Sequence, residues 1–150
     1  MDFMGSTLVV FAILLVVTIA ALSFEPANPL RKWLSLAQRY ATDRRPSAVQ
    51  FPGERILFGS RRGRLKPLNE FVSFDVTIDD FGLWLVCNGV DETDVPAALK
   101  IPGTHVRGRG AHGRNYLFDL FAEPPVRIAL RGAAGESLQR RCQPSGEPIA

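Results

Sequence analysis

Hydrophobic positions follow three regimes along this chain: an unbroken apolar run at the start, one short stretch with helical spacing, and then alternation with a period of two. From Leu8 to Phe24 no residue is charged. At about 1.5 Å per residue this run spans roughly 25 Å as a helix, close to the thickness of a bilayer's hydrocarbon layer, and Phe3 and Met4 extend it. Residues 1–25 are therefore expected to form a transmembrane helix. Ala21 and Ser23 are small enough for a signal-peptidase site, but the leading residues contain Asp2 and no Lys or Arg. A secretory signal ordinarily begins with positive charge, so the retained helix is the better reading.

Next, Asn28-Pro29 predicts a helix start, with Asn as N-cap and Pro at the first helical position. Trp33, Leu36, Ala37 and Tyr40 recur at i, i+3, i+4 and i+7, one apolar face of a short helix. Arg31, Lys32, Gln38 and Arg39 occupy the other face. Such a helix either lies at the headgroup level or packs its aromatic residues on the following domain. Thr42 to Gly53 has turn residues without periodicity and reads as linker, so 26–53 is expected to be a juxtamembrane segment.

From residue 54 the signal is β. Ile56 to Phe58 is a short strand, followed by the basic turn Arg61-Arg62-Gly63-Arg64. Val72, Phe74, Val76 and Ile78 alternate with Ser73, Asp75 and Thr77. The turn Asp79-Asp80-Phe81-Gly82 returns the chain into Leu83–Cys87 as a hairpin. Asn88 to Pro96 is an acidic loop, Ala98 to Ile101 a brief strand stopped by Pro102-Gly103, and 108–113 a Gly-rich hairpin loop. Tyr116, Phe118 and Leu120, then Val126, Ile128 and Leu130, mark two further strands separated by Pro124-Pro125. Ala133 to Cys142 predicts a helix with Leu138 as its main apolar contact. The fold class is mainly β (α+β): a small antiparallel barrel or sandwich of about six or seven strands over 54–142, closed by a C-terminal helix, with 143–150 as a disordered tail.

Charge changes the picture because it is segregated. The formal net charge is only +3, yet residues 31–66 hold ten Lys/Arg against Asp43 and Glu54, while 67–100 hold seven Asp/Glu against Lys100. The positive block lies beside the apolar run. Lys and Arg flanking a membrane helix stay on the cytoplasmic side, so the expected topology is single-pass in the inner (cell) membrane, N-terminus outside, domain in the cytoplasm. Arg31, Lys32, Arg61, Arg62, Arg64 and Lys66 are the candidate contacts for anionic lipid, each near-surface charge contributing about 1 kcal/mol. Nucleic acid would also want exposed aromatic residues or a recognisable fold, and is not expected. The opposing reading is that these arginines are a solvated turn.

Catalytic and cofactor signals fail their context tests. Gly108, Gly110 and Gly113 spell G-x-G-x-x-G, but a strand rather than a helix follows, so no dinucleotide site is expected. His105 and His112 are too few ligands for a metal, and the least favoured alternative, a small hydrolase or metal-dependent enzyme, would require some of Asp91, Glu92 and Asp94 to converge on them. No nucleophile signature appears, and Asp79-Asp80 is explained by turn hydrogen bonds, so the chain is not expected to be an enzyme. Cys87 and Cys142 leave a disulfide open. An accessory subunit of a larger membrane complex is the alternative function, although Gly5, Ala12, Ala20 and Ala21 form no small-xxx-small pair.

Three segments carry a resemblance. Trp33, Leu36, Ala37 and Tyr40 resemble a W-x-x-L-A-x-x-Y segment, Gly82-Leu83-Trp84-Leu85 a G-L-[YW]-L strand, and Ile101-Pro102 with Thr104-His105-Val106 an I-P-W-x-[ED]-I stretch. These are motifs of small bacterial single-pass membrane proteins of unknown function with a pleckstrin-homology (PH) or GRAM-like domain. Gly103 and His105 depart from that pattern, standing where Trp and an acid are expected. The resemblance implies a seven-stranded bent antiparallel sheet capped by a C-terminal helix and implies no activity. Together these readings describe a membrane-anchored, non-catalytic binding module without cofactor or metal, whose partners are the bilayer, anionic headgroups and an unidentified protein.

Overall fold

The computed structural model describes residues 3–23, 29–89 and 96–142, and within the first helix the side chains of 4–18. The N-cap expected at Asn28, most of the acidic loop, with Asp91, Glu92 and Asp94, and the tail 143–150 lie outside the described residues.

Helix α1 (Phe3–Ser23) is continuous, and its described large apolar side chains, from Met4 to Val17, are exposed. Among the described residues no helix is long and apolar enough to cross a membrane. Among the described residues the buried core cluster starts at Trp33 and includes none of the side chains of 4–18.

Helix α2 (Pro29–Tyr40) turns its apolar face into the domain. Trp33 is fully buried, its ring 6.0 Å from Phe58 and 5.3 Å from Phe74, and its Nε1–H donates to the Pro96 carbonyl at 2.9 Å. An indole of this size removes about 200 Å² from water, an upper figure of about 5 kcal/mol. Leu36, Ala37 and Tyr40 are buried beside it, so of the two placements open to this face the helix takes the one inside the domain.

Among the described residues nine strands form two antiparallel sheets. The first has the order β1 (Phe51–Glu54), β4 (Ser73–Ile78), β5 (Gly82–Asn88), β6 (Ala98–Pro102); the second has β3 (Lys66–Pro67), β2 (Leu57–Gly59), β9 (Val126–Arg131), β8 (Asn115–Leu120), β7 (Val106–His112). The count exceeds the expected six or seven for identifiable reasons. Residues 51–59 bend at Arg55-Ile56, so β1 pairs with β4 in one sheet while β2 pairs with β9 in the other. Strand β3 is a two-residue addition. Treating 51–59 as one bent strand and setting β3 aside leaves seven.

Two local readings are corrected. The stretch read as linker ends inside β1, since Phe51 pairs with Val76 although no periodicity marks it. The Gly-rich stretch is not a loop: 106–112 is strand β7, paired with β8, with a register irregularity between Gly108 and Ala111 that absorbs Gly110 at φ +84°. Glycine removes the alternation that would have announced this strand, but it tolerates the bulge.

The hairpin at residues 79–82 forms as expected. Asp79 Oδ1 accepts from the amides of Phe81 and Gly82, and Oδ2 accepts from Trp84 Nε1 at 2.8 Å. Helix α3 (Gly132–Cys142) packs against β7, β8 and β9, burying Ala134, Gly135 and Leu138.

Candidate anion-binding site

On the second sheet, inward residues Phe118 and Leu120 of β8 and Val126, Ile128 and Leu130 of β9 fill the core. Alternation then turns Asp119 and Arg127 outward. In the ladder Arg107, Asp119 and Arg127 fall into one row, because Arg107 pairs with Asp119 and Asp119 with Arg127. Like charges side by side in such a row would be destabilising, and the carboxylate between them reverses that.

Asp119 is only 5% exposed. Arg127 Nε donates to Oδ1 at 2.7 Å and its second nitrogen to Oδ2 at 3.2 Å, while Arg109 Nε donates to Oδ2 at 2.7 Å. Arg61 Nε stands 3.6 Å from Oδ2, an ion pair beyond hydrogen-bond length. Burial pushes the Asp119 carboxyl pKa up, but hydrogen bonds and charge from Arg127 and Arg109 outweigh it and hold it below the usual carboxylate range. The same pairing raises Arg127. A carboxylate whose oxygens already accept from two guanidiniums is a poor cation ligand. Its role is to gather arginines on one face with a positive excess.

A pocket of about 480 Å³ opens here, lined by Arg61, Thr104, His105, Arg107, Asp119 and Phe121 among others. Beneath it, the Tyr40 hydroxyl donates to the Phe121 carbonyl, so it must accept from His105 Nδ1, 2.9 Å away. Nδ1 is therefore the protonated, donating nitrogen in this contact. Burial raises the Tyr40 hydroxyl pKa against the opposing pull of Arg39. Phe121 is 57% exposed at the rim, with the Arg39 guanidinium 4.6 Å above its ring.

Compared with known protein families, with curated proteins and with solved structures, the chain matches none. Its chemistry has to be read from these residues alone.

The six basic residues singled out from the sequence do not converge on one site. Arg31 and Lys32 lie in the first turns of α2, with Arg31 exposed and Lys32 half-buried. Arg61, Arg62 and Arg64 occupy the turn after β2 and Lys66 begins β3; only Arg61 lines the pocket. Arg107, Arg109, Asp119 and Arg127 were not singled out. The available signal was weak: Arg107 and Arg109 at i, i+2 and Arg127 outward on an alternating strand, which becomes a site only when the three strands are laid side by side.

Among the described residues no group of three or more His, Cys, Asp or Glu could hold a metal. His105 and His112 are separated by the length of β7, about 20 Å at strand rise, and share no site. Both cysteines are free thiols. Burial pushes Cys87 up to about 11 and also raises Cys142, so neither is poised as a nucleophile.

Proposed function

We propose that the chain is a membrane-anchored, non-catalytic binding module whose β domain, of PH/GRAM-like type, presents an arginine-rich face to anionic headgroups. The observation that carries this reading is the gathering of Arg61, Arg109 and Arg127 around one buried carboxylate, with Arg107 beside them. With Asp119 saturated by guanidiniums, the four arginines outnumber Asp119 and Glu123 and leave net positive charge facing solvent.

Several features support the wider reading. The PH-like type draws on a bent strand shared by two sheets, seven strands by that count, and a C-terminal helix against the second sheet. The anchor draws on the uncharged sequence of helix 3–23 and on its described apolar side chains between Leu8 and Val17, which are exposed and take no part in the domain core. Only five residues separate the end of α1 from the start of α2, a tether of about 20 Å at full extension that holds the domain at the membrane surface. The basic flank after α1 favours a cytoplasmic domain.

The test is co-sedimentation of the chain from residue 26 onward, which retains every residue of the core cluster, with neutral and anionic vesicles. Binding confined to anionic vesicles, and weakened between low and physiological salt, supports the reading. Absence of binding to anionic vesicles at low salt overturns it.

A further inference from the structure

The arginines near Asp119 differ in how far they are committed. Arg109 and Arg127 each spend their Nε–H on the carboxylate. Arg61 contributes charge from 3.6 Å and is 54% exposed. Arg107 is exposed and lines the same pocket, and among the described residues its side chain has neither an ion pair nor a hydrogen bond. Thr104, also at the pocket, is exposed, and among the described residues its hydroxyl has no hydrogen-bond partner. Two guanidiniums with spare N–H groups and a hydroxyl therefore converge on one concavity from three separate segments: the turn after β2, the 3₁₀ turn Gly103–His105, and β7.

The remaining lining sharpens the ligand class. The other carboxylate at the pocket, Glu123, faces a cationic surplus, because Asp119 is already offset by Arg109 and Arg127. Guanidinium forks match the paired oxygens of a tetrahedral oxyanion, and several forks meeting in one place favour a doubly charged group over a singly charged one. Phe121, Leu120 and Pro125 provide an apolar wall for the carbon skeleton attached to it.

We propose that this pocket is a discrete phosphomonoester subsite, with Arg61 and Arg107 as the binding forks, Thr104 as a hydroxyl donor, and Asp119 as a positioning residue. The proposal deepens the lipid-contact reading by naming the group recognised, and it rests on that reading only for the membrane as a source. A phosphomonoester can arrive on a lipid headgroup or on a soluble metabolite, and both present the same chemistry to the forks.

The test uses the full chain in neutral detergent micelles, titrated with inorganic phosphate against chloride at constant ionic strength and followed by calorimetry. Saturable phosphate binding is expected, weakened at least tenfold in Arg107→Gln. Arg107→Lys, which keeps the charge and loses the fork, should fall between. Arg114→Gln, exposed in the turn between β7 and β8 and outside the pocket, should stay within twofold of the unaltered chain. Competition by micelles doped with phosphatidic acid, and not by the phosphodiester phosphatidylglycerol, identifies a lipid source; competition by glycerol 3-phosphate alone identifies a soluble one. Absent or non-saturable phosphate binding, or equal losses in Arg114→Gln and Arg107→Gln, overturns the subsite. The two readings fail separately. Anionic vesicle binding insensitive to Arg107→Gln leaves general lipid contact standing, whereas phosphate binding without vesicle binding leaves the subsite and removes the lipid.

Discussion

Arg127 and Asp119 stand directly opposite each other on neighbouring strands, the guanidinium Nε 2.7 Å from Oδ1 and a second nitrogen 3.2 Å from Oδ2. The carboxylate is buried and Arg127 is one-fifth exposed, so this contact sits in a lower dielectric than a surface pair. Removing Asp119 would leave Arg61, Arg109 and Arg127 crowded on one sheet face without their counter-charge.

Asp119→Asn is therefore expected to lose about 1–3 kcal/mol at neutral pH, read by chemical denaturation of the chain from residue 26 onward. Its pH dependence gives a second readout. The folded carboxyl titrates below its unfolded value of about 3.9, so its contribution is complete above that pH and is lost as pH falls through the lower folded value. The gap between the unaltered chain and Asp119→Asn should narrow on acidification below about pH 4. A gap constant from pH 7 to pH 2 would mean that the carboxylate's charge contributes nothing.

Tyr40→Phe removes the hydroxyl that joins His105 to the Phe121 carbonyl. The expected cost is about 1–2 kcal/mol, because two part-buried polar groups lose a partner while the ring still packs. The specific signature is in the histidine. Nitrogen chemical shifts of neutral His105 should report the Nδ1–H form in the unaltered chain and a mixture of tautomers in the variant. A mixture in both would show that Tyr40 does not set the tautomer.

Much of the architecture is visible in the residue pattern where side chains alternate cleanly. Val72, Phe74, Val76 and Ile78 announce β4, and the Asp79–Gly82 turn announces the hairpin, because burial on one face leaves a period of two. Trp33, Leu36, Ala37 and Tyr40 mark the buried face of α2, although the pattern alone left membrane and core open as its destination. Strand β7 is hidden because its glycines carry no side chain to report a face. β1 is hidden because Phe51-Pro52-Gly53-Glu54 has turn composition, and its pairing is specified by β4 across the sheet. The anion site is the least legible part. Arg109, Asp119 and Arg127 come from three strands, and their meeting depends on register, which no local spacing encodes.

Gly135→Ala sets helix propensity against packing. An exposed helical Gly→Ala gains about 1 kcal/mol. Here a Cβ would stand 2.6 Å from Tyr116 Cδ2 and 2.8 Å from the Leu130 carbonyl oxygen, so α3 would have to lift off the sheet. Overpacking of this kind costs about 1–3 kcal/mol, and net destabilisation is expected by thermal or chemical denaturation. A more stable variant would show that α3 docks more loosely on β8 and β9 than these distances imply.

The topology prediction is tested in whole cells. Gly63 lies in the exposed turn between β2 and β3, beside Arg62 and Arg64, far from the core. Half-buried Cys142 gives a background signal, so the substitution Gly63→Cys is made in a Cys142→Ser chain, with buried Cys87 left in place. If helix 3–23 spans the membrane with the basic flank held in the cytoplasm, Gly63→Cys should resist an impermeant maleimide in intact cells and react after permeabilisation. The full chain should also stay with the membrane pellet after alkaline extraction, while the chain from residue 26 onward is released. Labelling in intact cells would place the domain outside. Release of the full chain by alkali would remove the spanning anchor, and the arginine face would then have to reach its anionic partner by diffusion.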